Sequence, residues 1–120
     1  VDQDIVPNSG WSRTFVLTQF QGGPPVDLTG VAFGFRVRLN DYDQTAPALI
    51  AVNSTASNSQ GSVTIASPTN GQVAVYLSPA ATALLFGAER AQFALWSNPN
   101  SSTQQEWANG EFNIVQVPLP

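Results

Sequence analysis

Along most of the chain, apolar side chains return at every second position. The clearest case is residues 31–39, VAFGFRVRL, where Val31, Phe33, Phe35, Val37 and Leu39 share one phase. Side chains of a strand point alternately to opposite faces, so this phase predicts a strand with one buried side. The opposite phase holds Ala32, Gly34, Arg36 and Arg38. The same period predicts strands at 12–20, 48–53, 62–66, 72–77 and 91–97. Two more are expected at 103–108 and 111–117, divided by Asn109-Gly110, where Gly110 is expected to take positive φ at a bulge or tight turn.

Breaks fall between these segments. Gly22-Gly23 and Pro24-Pro25 cannot continue a ladder, and NSTASNSQG at 53–61 reads as a polar turn region. Pro68-Thr69-Asn70-Gly71 predicts a hairpin and Asn98-Pro99-Asn100-Ser101 another turn. One segment departs from period two. SPAATALLFG at 78–87 has Ser78 as N-cap, Pro79 at the first helical position and Gly87 as the stop, with Ala81, Leu84 and Leu85 on one face. This predicts a short helix over 79–86 closing an end of the fold. Eight short strands with turns between them predict an all-β antiparallel sandwich. The expected core covers about 12–117 within one domain of 120 residues.

Composition removes much chemistry. The chain has no cysteine, histidine or lysine. Disulfides, thiolate or histidine metal sites, Ser-His and Cys-His dyads and Schiff-base lysines are therefore excluded. Four arginines face eight acids for a net charge of −4, which argues against nucleic-acid binding, where clustered cations neutralise phosphates. No apolar run approaches the roughly 20 residues that span a bilayer. VDQDIVPNSG has two acids and no basic region, so it does not read as a secretory signal. No cofactor and no enzymatic activity are expected.

The order of motifs resembles a family. Asp27-Leu28-Thr29-Gly30 leads to a strand with Phe35-Arg36, then to Gly71–Leu77, the Ser78–Leu85 helix, Phe93–Trp96 and Gly110–Ile114. This series is similar to the immunoglobulin-like β-sandwich domain of tailed-phage baseplate and tail proteins, including the N-terminal domain of upper-baseplate proteins. The resemblance implies a virion location in the tail, baseplate or head–tail region. It also implies a structural role, in which copies bind one another and neighbouring virion proteins. Because the sequence stops after Val117-Pro118-Leu119-Pro120, with no coiled coil or fibre, a small adaptor subunit is expected rather than a fibre carrier.

Four residues are candidates for an interface: Arg36, Arg38, Tyr76 and Trp96. The arginine pair reads either as a solvated face, with ion pairs each contributing under about 1 kcal/mol, or as a subunit contact, where arginine is enriched. Trp96 falls out of phase with Phe93 and Leu95, which predicts an outer-face position with Tyr76 nearby. Such a surface aromatic suits either an oligomer interface or a sugar ring, so a carbohydrate-binding or adhesin module is the alternative function. Asn40-Asp41-Tyr42-Asp43 is acidic but lacks the glycine and closing glutamate of a calcium loop, so it reads as a turn and no metal is expected. Glu106 and Glu111 fit a glycosidase pair poorly, with no polar constellation around them. Only 10% of residues are charged. Such a neutral polar surface suits a chain covered by neighbours, or else an extracellular or halotolerant source.

Overall fold

The computed structural model describes residues 2–39, 48–98 and 102–115. The acidic loop expected at 40–43 and most of the turn at 98–101 lie outside them. The described residues form eight strands: β1 (Asp2–Ile5), β2 (Trp11–Val16), β3 (Phe33–Arg38), β4 (Ile50–Asn53), β5 (Gly61–Ser67), β6 (Gln72–Leu77), β7 (Arg90–Ser97) and β8 (Gln105–Ile114). A five-stranded sheet in the order β1-β8-β7-β3-β4 packs on a three-stranded sheet in the order β2-β6-β5. The fold is an all-β sandwich.

Alternation builds the core as the pattern predicts. Phe33, Phe35 and Val37 of β3 meet Phe93 and Leu95 of β7, Phe112 and Ile114 of β8, and Val73, Val75 and Leu77 of β6, all buried. Phe35 sits at the centre. Its ring lies 5.8 Å from Trp11, 6.2 Å from Phe15, 5.6 Å from Phe93 and 6.4 Å from Phe112. Aromatic rings at such spacings add offset or edge contacts to the area they bury. Because two rings come from β2 and the others from β7 and β8, this cluster joins the sheets.

Several expectations need correction. The strand count of eight holds, but for a different reason. The two strands expected at 103–108 and 111–117 are one strand, β8, and the eighth is β1, which pairs parallel to β8 with Ile5 beside Ile114. The sandwich is therefore not wholly antiparallel. Gly110 sits inside the ladder opposite Phe93, and the described glycines with positive φ are Gly22, Gly30, Gly61, Gly71 and Gly87. The bulge falls instead at Trp107, where the register slips between Leu95 and Trp96. That extra residue lets the Trp107 indole pack against the core while its Nε1 donates to Ser97 Oγ at 3.0 Å. Buried indole nitrogens need such an acceptor, and a serine beside the bulge supplies it.

The helix, α1 (Pro79–Ala83), starts as expected: Ser78 Oγ accepts from the Ala81 N–H at 3.2 Å. Its buried face differs. Ala81 and Leu85 are inside, but Leu84 is 48% exposed and Thr82 takes its place. The Thr82 hydroxyl donates to the Ser9 carbonyl at 2.8 Å, which ties the helix to the turn before β2. At the opposite end, Pro68–Asn70 form a 3-10 turn closed by Gly71 at φ +66°, in the hairpin joining β5 and β6. A side chain at Gly71 would meet the Leu17 carbonyl, which accounts for the glycine. Nearby, Asp27 Oδ1 accepts from both the N–H and the hydroxyl of Thr29. These bonds hold the Asp27 carboxyl below the usual aspartate range.

Phe35→Ala is expected to cost about 3–5 kcal/mol through the cavity left among four rings, close to the whole stability of a small domain. Guanidinium unfolding followed by tryptophan fluorescence checks this. A cooperative transition near the wild-type midpoint would contradict the central place given to this ring.

Candidate functional site

With Phe33, Phe35 and Val37 inside, Gly34, Arg36 and Arg38 face out from β3. Each has a partner on β7: Gly34 opposite Trp96, Arg36 opposite Ala94 and Arg38 opposite Gln92. Gly34 and Ala94 are small, while Arg36, Arg38 and Trp96 are large. A groove of about 330 Å³ lies over Ala94, lined by Arg36 and Arg38 of β3, Gln92 and Trp96 of β7, and Glu106 and Asn109 of β8.

Arg36 is held in place from below. Its Nη1 donates to the Val52 carbonyl at 3.0 Å and the Phe35 carbonyl at 3.2 Å, and its Nη2 donates to Asn53 Oδ1 at 2.8 Å. Partial burial, and then the charge of Arg38, lower its pKa from the usual arginine value. The guanidinium remains charged, since even a shifted arginine titrates far above neutral pH. Across the groove, Asn109 Nδ2 donates to Glu106 at 3.3 Å. Further along β8, Glu111 pairs with Arg90 at 3.3 Å and accepts from Gln92 Nε2 at 2.9 Å. The groove thus joins two guanidinium groups, an indole face, two amides and a carboxylate. It can hold a ligand that presents an anionic or polar edge beside a flat or apolar surface.

Of the four residues predicted for an interface, Arg36, Arg38 and Trp96 come together here. Tyr76 does not. It lies on the outer face of β6 in the other sheet, 44% exposed beside Ser12, Thr14, Ser62 and Thr64. The expectation that Tyr76 lies near Trp96 fails because both are out of phase with their cores, but in opposing sheets. Trp11 is half-buried and packs against the core, stacked on Phe35 and edge-on to Phe112 at 5.0 Å. Sequence reasoning missed the roles of Gln92, Asn109 and Glu106 as groove walls. Their outward phase on β7 and β8 was visible, but the bulge at Trp107 shifts the phase of Glu106. Among the described residues, no group of three or more acidic side chains is placed to hold a metal ion. No helix of the described residues is long and apolar enough to cross a membrane. No protein-family model and no curated protein matches the sequence.

Arg36→Ala removes the hydrogen bonds from its guanidinium to the Phe35 and Val52 carbonyls and to Asn53, at a cost of about 1–3 kcal/mol. Urea unfolding compared with wild type checks this, and an unchanged midpoint would contradict it.

Proposed function

We propose that the chain is a non-enzymatic structural subunit of a bacteriophage virion, in the tail, baseplate or head–tail region. It acts by association, binding other copies of itself and neighbouring virion proteins, with no part for nucleic acid, membrane or cofactor. One observation carries this reading. On a surface poor in charge, half of the chain's arginines and a half-buried tryptophan are gathered around one groove on one sheet face. Arginine and tryptophan are the residues that most often dominate interface energetics. Arg36 is already fixed by its bonds to β4, so less side-chain freedom is lost when a partner binds. The motif order quoted above supplies the phage context.

A second reading is a carbohydrate-binding module. It is favoured by the presence of Trp96, Gln92, Asn109 and Glu106 in one groove, an aromatic platform beside planar hydrogen-bonding groups.

The double variant Arg38→Ala/Trp96→Ala separates the two. For a virion subunit, the variant should melt close to wild type yet be lost from purified particles assembled with it as the sole copy. Normal incorporation would overturn the structural reading of this groove. Glycan-array binding by the wild-type chain that disappears in the variant would move the function to the second reading.

A further inference from the structure

The chain has two Asn-Gly steps, Asn70-Gly71 and Asn109-Gly110. In this dipeptide the backbone nitrogen of the glycine can attack the asparagine side chain, because no Cβ on the glycine shields it. Both asparagines are exposed, so access to water does not separate them. The backbone around each one does.

Asn70 ends the 3-10 turn Pro68–Asn70, at the tip of the β5–β6 hairpin. Its Nδ2 donates to Ser67 Oγ at 2.9 Å. The Gly71 N–H donates to the Pro68 carbonyl at 3.4 Å, longer than an ordinary bond of this kind. The attacking nitrogen is thus weakly held. Gly71 is buried, but Asn70 is not, so rotation of Asn70 within the turn brings its side-chain carbon to that nitrogen. Asn109-Gly110 differs, because it lies inside β8 opposite Ala94 and Phe93 of β7. The same approach there requires the strand to leave its ladder. Asn109 Nδ2 also donates to Glu106 at 3.3 Å, and that neighbouring carboxylate opposes the deprotonated nitrogen that the attack needs.

We infer that Asn70 is a site of spontaneous deamidation and that the fold spares Asn109. The deprotonated Gly71 nitrogen attacks Asn70 Cγ and a new N–Cγ bond forms. The Cγ–Nδ2 bond breaks, and ammonia leaves with the proton given up by the Gly71 nitrogen. Water then opens the resulting succinimide at either carbonyl, giving aspartate or isoaspartate. Each product adds one negative charge to the net −4. Isoaspartate also lengthens the main chain by a methylene, just before Gly71. That residue packs against the Leu17 carbonyl and Val26, and its own carbonyl accepts from the Leu17 N–H at 2.8 Å. The longer link pushes Gly71 out of both contacts, so this product loosens the hairpin end. The reaction needs no partner and is independent of the assembly proposed above.

Peptide mapping by mass spectrometry tests it. The chain is held at mildly alkaline pH, once folded and once in concentrated urea, and both asparagines are followed with time. In urea the two sites should convert at similar rates, since they share one dipeptide. In the folded chain Asn70 should convert at least about tenfold faster than Asn109, which reacts only when its ladder opens. The rate at Asn70 should rise with pH, because the attacking nitrogen must lose its proton. A folded Asn70→Gln chain should keep its isoelectric point over the time in which wild type acidifies. Asn70 that stays intact in the folded chain while converting in urea would overturn the inference. So would equal conversion of the two sites in the folded chain.

Discussion

Phe35 sets which way every residue of the central strand points. Its ring contacts aromatic rings from β2, β7 and β8, so burying it fixes the phase of β3. A slip of one residue would carry Phe33, Phe35 and Val37 into water and drive two guanidinium groups into an apolar core. The outward position of Arg36 and Arg38 is thus a consequence of core packing. Small Ala94 then leaves room between the large side chains, and a groove forms without any loop to build it.

The edges and faces of the sandwich are treated differently. β4 is an edge strand, but the 54–60 segment folds back along it. Gln60 Oε1 accepts from the Ala51 N–H, and Asn58 Nδ2 donates to the Ala51 carbonyl. Edge strands with open backbone groups invite pairing with other chains, and proteins often blunt them with lysine. This chain has no lysine and uses side-chain amides instead. On the far side, β1 extends the same sheet beyond β8. β4 is thus covered, and β1, β2 and β5 are the other edges of the two sheets.

Much of this was legible from alternation. β3, β6 and β7 alternate in sequence and are buried on one side, so their faces followed from pattern alone; β6 has the expected limits, whereas β3 is shorter than the expected 31–39. β1 was not legible, because in DQDI only Ile5 is a core residue and parallel pairing leaves no hairpin signal. Asn109-Gly110 looked like a turn, but tertiary pairing with β7 overrode local preference, and the irregularity moved to Trp107. The site was half legible. Arg36, Arg38 and Trp96 could be assigned outward, whereas the separation of Tyr76 from Trp96 depends on which strands share a sheet. Local sequence does not encode that.

Oxidative footprinting of Trp96 and Tyr76 tests the central claim most directly, since the two aromatics report on opposite faces of one small domain. The chain is labelled by brief hydroxyl-radical exposure when dilute and again at the concentration where it associates. If the five-stranded sheet carries the binding face, Trp96 oxidation should fall severalfold on association while Tyr76 stays as reactive as in the dilute chain. Protection of Tyr76 with Trp96 unchanged would place the contact on the other sheet and contradict the account.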